Sequence, residues 1–344
     1  MLKNLCSKLF IGALLFSSLA GYSAEKRLLI IDDDIGMDRD GVFKSGSYLA
    51  PWFRFTDPDG GLELIYAVND PSAEVLGVTV MMGVAPMDVC VGAAKKVLKA
   101  IGRSDIPVFS GAKSSSDLGR ETEAARFIID TVMQNPGQVE IVATGPLTNI
   151  ATALMLEPNL PKYWKTLHVA TGDFRGALGY SSNIYKWSRA GLNADINVDL
   201  DVPSLRYVMD HGGNFPIYPN EVADDVPLTR GDYADLKSFG TVQTDFLAYE
   251  LAPLHNFYNR LGGAFFAGAP THAVVPIAIV LDPDMSVETK VVAVELSNYK
   301  RHGKPKFSFK VIEGTDEQSH KVFLHLDENN LKQVHQKLID RMMR

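Results

Sequence analysis

Cysteine is almost missing from this chain: two in 344 residues, Cys6 and Cys90. A disulfide-stapled scaffold is therefore excluded, and the fold must rest on packing. There is no excess of positive charge. Lys and Arg number 34 against 41 Asp and Glu, a net of −7. Such a balance argues against nucleic acid or an anionic membrane surface as partner. No apolar run is long enough for a comfortable membrane span. No internal repeat or low-complexity tract is present either, so solenoids and disordered tails are set aside. What remains is an ordinary globular composition, 46% hydrophobic and 22% charged, with length for one large α/β domain or two small ones.

The first 24 residues read as a separate object. Lys3 and Lys8 precede a short uncharged apolar stretch, Leu9 to Leu19, and small residues follow at Ala20, Gly21, Ser23 and Ala24. That is the layout of a secretory signal, residues 1–24, with a retained N-terminal anchor as the alternative. The expected location is periplasmic or secreted. Cleavage would remove Lys3 and Lys8 from the 34 basic residues, leaving 32 against 41 acidic, a net of −9. It would also remove Cys6, so that Cys90, on an apolar helical stripe, is expected as inert core.

Residues 25–344 read as one domain. Leu28 to Ile31 is a continuous apolar run ending in Asp32-Asp33-Asp34, the pattern of a strand buried on both faces. Val75–Val80, Ile106–Phe109, Val139–Ala143, Leu167–Ala170 and Phe215–Tyr218 repeat it. Helical spacing falls between them, at 62–68, 88–101, 121–133, 147–156 and 203–210. Alternation of this kind predicts an open, mostly parallel sheet with helices on both faces. The C-terminal third is less regular. It is expected to add paired strands at 287–296 and 307–311 and a closing helix at 329–343. Residues 39–56 carry Gly, Ser, Pro, Trp and Phe without periodicity and read as an inserted loop at the mouth of the sheet.

Polar residues gather where strands should end: Asp32, Asp33 and Asp34, then Thr144, then Thr171 and Asp173. Ligands bind at that edge of a parallel sheet. Converging carboxylates there need an offsetting cation or sugar hydroxyls, and oxygen donors favour calcium or magnesium. Taken singly, each Asp is as well explained as a turn former or a cap. Strand-Asp-x-Asp also opens phosphatases of the haloacid dehalogenase type, with Asp32 as nucleophile, but Gly36 stands where that pattern wants Thr or Val. Asp-x-Asp-Gly at 38–41 and 57–60 suggests an EF-hand loop, yet neither copy has its bidentate Glu.

The stretch Asp32-x-Asp34-x-Gly36-x-Asp38 resembles the opening signature of the inosine–uridine nucleoside hydrolases. Asn69-Asp70-Pro71, Gly77–Val80, Gly102–Ala112, Thr144–Ala151, Glu157-Pro158, Asp195-Ile196-Asn197 and His272 match in the same order. The resemblance spans about 27 to 295. It implies hydrolysis of an N-glycosidic bond in a ribonucleoside or related ribosyl compound. By that resemblance Asp34 is general base and calcium ligand, and the Thr144 carbonyl is a second ligand. Asp59, Asp195 and Asn197 would hold the sugar, and His272 would protonate the leaving base. It also implies a homo-oligomer.

The departures are specific. Counted back from Gly77, a usual ligand Asp falls on Gly60. Another, next to the His, is Ala273. A ribose-contacting Asn is Val84. Asp38, Asp40 or Asp57 are candidate substitutes, with Asp38 preferred as ligand. Glu63 is expected on a solvated helix face, because Glu is rarely buried unpaired. A non-catalytic nucleoside- or sugar-binding descendant stays open as a second reading.

Overall fold

The structure is a computed structural model. It describes residues 26–45, 56–172, 174, 195–223, 226–262, 269, 271–301, 304–312 and 319–344. The expected secretory segment, the centre of the insertion and Asp173 lie outside the described residues.

The strands are β1 (Arg27–Asp33), β2 (Ala73–Val80), β3 (Val108–Ser110), β4 (Val139–Ala143), β5 (Thr166–Ala170), β6 (Ile217–Tyr218), β7 (Val287–Arg301), β8 (Lys304–Ile312) and β9 (Ser319–Leu326). They form one sheet in the order β3-β2-β1-β4-β5-β6-β9-β7-β8. All pairings from β3 across to β9 are parallel, and β7 pairs antiparallel with both β8 and β9.

The apolar run of β1 explains its central position. Leu29 and Ile31 enter the core on one face of the sheet and Ile30 enters the core on the other. A strand buried on both sides cannot alternate with polar residues. One face is covered by the helices Asp59–Val68, Met87–Ala100, Val274–Leu281 and Glu328–Met342, and the other by Glu123–Gln134, Thr148–Leu156 and Val202–His211. Among the described residues no helix is long and apolar enough to cross a membrane.

Three expectations are corrected. Arg39–Ser45, inside the expected loop, is a short helix with Val42 buried. The C-terminal third holds more order than its pattern suggested, with helices Arg230–Phe239 and Val242–Gly262 and strand β9. Glu63 is not solvated. Every residue from Gly60 to Ala67 is buried, because the helix Asp59–Val68 is packed against Met87–Ala100, Val274–Leu281 and Glu328–Met342.

The direction in which strands are added to the sheet reverses at β1, between β1 and β4. β1 leads by crossover to β2 on one side, and β4 then pairs with its other side. The carboxyl edge at such a switch point is where open α/β sheets form a crevice.

Candidate active site

Strand register places the site. Asp32 pairs with Ala143, Ala143 with Val169, and Val169 with Ile217. Just past that row the chain presents Asp33, Asp34, Thr144, Ala170 and Tyr218, all lining one cavity. Asp57, Asp59, Asp195, Asn197, His272 and Ala273 complete its polar and back walls. The predicted residues Asp34, Thr144, Asp59, Asp195, Asn197 and His272 thus meet in one place, although 238 positions separate Asp34 from His272.

Asp34 sits between two glycines. A side chain at Gly83 would lie 1.8 Å from its Oδ2, and one at Gly145 would lie 2.9 Å from its Oδ1. The Val84 N–H donates to Asp34 Oδ2 at 2.6 Å, so position 84 contributes backbone to the site. Burial raises the Asp34 carboxyl to about 6, against the Val84 N–H and with help from Asp59.

Asp59 opens its helix and ties two walls together. Its Oδ1 accepts from the Gly60 N–H at 2.9 Å and its Oδ2 from the Ala273 N–H at 3.1 Å. That second bond fixes the turn carrying His272. Asp57 stands against Gly36: a side chain there would lie 2.5 Å from the Asp57 carbonyl oxygen. Burial, then Asp59 and Asp34, hold the Asp57 carboxyl well above the usual range.

The other two candidate substitutes are placed elsewhere. Asp38 ion-pairs with Lys96 at 2.6 Å and accepts from the Gly41 N–H at 3.0 Å. Asp40 accepts from the Tyr249 hydroxyl at 3.0 Å. Neither is among the cavity's lining residues. Asp38 as a calcium ligand is therefore corrected to Asp38 as the partner of Lys96 and of its own helix start.

Asn197 donates through Nδ2 to the Thr144 carbonyl at 2.7 Å. Asp195 accepts from the Asn197 N–H at 2.9 Å, the Val198 N–H at 3.3 Å, the Thr171 hydroxyl at 3.0 Å and the Gly172 N–H. It is the N-cap of Ile196–Leu200 and fastens that segment to the end of β5. Thr144 also donates its hydroxyl to Glu63 Oε2 at 2.7 Å, from below the cavity. Burial, opposed by that bond, holds the Glu63 carboxyl well above its ordinary value.

Asp32 is not at the cavity. Its Oδ1 accepts from the Thr79 hydroxyl at 2.6 Å and from Asn149 Nδ2 at 3.0 Å, and burial lifts its carboxyl to about 7 against both bonds. A fully buried Asp32 cannot serve as a phosphatase nucleophile. Asn149 Oδ1 accepts in turn from the Ala112 N–H at 3.0 Å. The Thr144–Ala151 and Gly102–Ala112 blocks, far apart in sequence, are therefore joined to β1 through one amide.

Tyr218 was missed by sequence reasoning, and Asp33 was named only as part of the acidic strand end, with no role of its own. Tyr218 lines the cavity and its hydroxyl bonds His168 Nδ1 at 2.9 Å, with His168 Nε2 on Glu140 Oε2 at 3.1 Å. Asp33 also lines it. Burial, then Asp34, Glu63 and Asp59, hold its carboxyl well above the usual range. The signal for Asp33 was Gly60: a side chain there would lie 1.7 Å from Asp33 Oδ2.

The donor set is all oxygen, which suits a hard cation such as calcium. Buried Asp33 Oδ2 and Glu63 Oε1 have no hydrogen-bond partner, which adds to that fit. Among the described residues no three acidic, His or Cys side chains already surround a common point. After burial, the charge of Asp34 raises Asp33 and the charge of Asp59 raises Asp57. A cation answers that excess of negative charge, so the donor chemistry fits the ion.

Known proteins bear on this geometry. The model of the inosine–uridine preferring nucleoside hydrolase family matches residues 55–333. A probable uridine nucleosidase of Oryza sativa subsp. japonica is 24% identical over 269 residues, covering 70% of this chain and 79% of that one. The pyrimidine-specific ribonucleoside hydrolase RihB of Shigella flexneri is 22% identical over 268 residues, covering 69% and 79%. A solved purine-preferring ribonucleoside hydrolase from Gardnerella vaginalis superposes with a TM-score of 0.71 at 19% identity, over 92% of this chain and 99% of that one. The chain belongs to the inosine–uridine preferring nucleoside hydrolase family.

Proposed function

We propose that the protein hydrolyses the N-glycosidic bond of a ribonucleoside or a closely related ribosyl compound. The observation that carries this reading is the meeting of Asp34, Asp59 and His272 in one cavity at the switch point of the sheet. Asp34, held by the Val84 N–H, takes the proton from a water that attacks the anomeric carbon. The new C–O bond forms as the C–N bond breaks, and the electron pair leaves with the base. His272 delivers the proton that the departing nitrogen needs. Asp59 and the segment fastened by Asp195 orient the sugar hydroxyls. Asn197 keeps the Thr144 carbonyl turned into the site. A calcium-type cation, when bound by Asp34 and the Thr144 carbonyl, supplies positive charge that makes the attacking water more acidic. Geometry of this kind, with water activated across the ring from the leaving group, follows the logic of an inverting glycosidase.

Export rests on residues 1–24 and is part of the same proposal. N-terminal sequencing of the protein recovered outside the cytoplasm should begin between residues 22 and 25.

The test of the assigned roles is kinetic. Asp34→Asn should lower kcat by about 10²–10⁴-fold. His272→Ala should lower it comparably for a poor leaving base and much less for a p-nitrophenyl riboside, whose leaving group needs no proton. An equal loss with both substrates would remove His272 as the acid. Binding of ribonucleoside with no turnover by the unaltered chain would favour the binding-protein reading that Gly60 and Ala273 motivate.

A further inference from the structure

The cavity carries a charge problem that its own walls do not solve. Asp33, Asp34, Asp57, Asp59 and Asp195 line it, and among the described lining residues there is no Lys or Arg. Asp33 is only 4% exposed, and its Oδ2 has no partner. A buried carboxylate oxygen left unpaired is costly, and a native fold retains one where something else completes it. Glu63 Oε1, fully buried close by, is in the same condition.

The position of Asp33 Oδ2 is not arbitrary. It lies 1.7 Å from where the Cβ of residue 60 would stand, and Asp33 Cγ lies 2.8 Å from the same point. Glycine at 60 is thus what admits this carboxylate. The helix Asp59–Val68 gives up a side chain at its second residue, and β1 fills the space from the opposite side with an anionic one. Asp34 and Thr144 line the same cavity.

We propose that Asp33 is a cation ligand of this site, a carboxylate moved from the helix onto β1 into the space left by Gly60, and that with Asp34 and the Thr144 carbonyl it holds one hard divalent ion of the calcium class. The proposal rests on the hydrolase reading of the cavity only for what the ion is for. The ion-binding claim stands on the geometry above. Hard oxygen donors exclude a preference for zinc, and carboxylate count sets the affinity.

The experiment uses the full chain, stripped with a chelator and titrated with calcium chloride alone in a calorimeter. The unaltered chain should bind one ion. Asp33→Ala should weaken binding at least tenfold while circular dichroism shows the fold retained. The Asp33→Ala, Gly60→Asp double variant should recover most of the lost affinity, because the helix again offers a carboxylate to the same space. Recovery cannot come from a variant that has merely failed to fold. Unchanged calcium affinity in Asp33→Ala, or no calcium binding by the unaltered chain at millimolar calcium, overturns the proposal. Ribonucleoside hydrolysis that persists without any calcium binding would sink this inference and leave the hydrolase reading standing. Calcium binding through Asp33 with no hydrolysis would do the reverse.

Discussion

The Asp33 carboxylate occupies the space that a side chain at position 60 would need, with Oδ2 1.7 Å from the place of a Cβ. Replacing a helical glycine by alanine ordinarily stabilises a helix by up to about 1 kcal/mol. Here the sign should invert. Gly60→Ala must push a buried carboxylate aside and should cost about 1–3 kcal/mol in urea unfolding. In combination with Asp33→Ala the cost should vanish, giving a coupling of roughly 1 kcal/mol or more. Additive single effects would mean that the two positions do not share that space.

Glu63, expected on a solvated helix face, is fully buried beneath Thr144. Its Oε2 accepts the Thr144 hydroxyl at 2.7 Å while Oε1 has no partner. Thr144→Val keeps the shape and removes the donor. It should cost about 1–3 kcal/mol, the penalty of leaving a buried acceptor unsatisfied. Thr144→Ser should be close to neutral. Equal losses in the two variants, measured by chemical denaturation, would assign the effect to packing and not to the bond.

Toward the amino end of the sheet, Glu140 gives a prediction about pH. Burial opposes its charge, but hydrogen bonds from His168, Arg27 and Lys165 outweigh that and pull its carboxyl down to about 2 from 4.5. A carboxyl held lower in the fold than in the unfolded chain contributes stability above the unfolded value. That contribution is whole above about pH 5 and is lost as pH falls toward 2. At neutral pH it amounts to roughly 3 kcal/mol. Glu140→Gln should remove it and flatten the acid limb of the stability curve. An acid limb as steep as in the unaltered chain would show that other carboxyls govern it.

Much of the fold was legible because its signals were local. Strand Val139–Ala143 and helix Thr148–Leu156 follow directly from a short apolar run and a 3.6-residue stripe. Strand β9 did not read so clearly. Its Ser-His-Lys start is polar, and its pairing with β6 and β7 is decided by residues far away in sequence. Asp34, Asp59, Thr144, Asp195, Asn197 and His272, singled out in the sequence, line one cavity. What each does was less legible. Asp38 was preferred to Asp57 as a ligand, but Lys96 claims the first, and the second stands against Gly36 and lines the cavity. Asp33 was hidden because strand alternation gives no reason to prefer it over Asp32. Thr79 and Asn149 hold Asp32, and the absence of a side chain at Gly60 admits Asp33; both are facts about neighbouring elements.

The proposed reaction in this cavity is cleavage of the bond between a ribose and its base. The most direct measurement is release of free ribose, followed by reducing-sugar assay and by chromatography of the freed base, over a panel of purine and pyrimidine ribonucleosides with calcium present. At least one member should yield stoichiometric ribose and base, and Asp34→Asn should abolish the release. No ribose from any ribonucleoside, with folded protein and calcium bound, would contradict it.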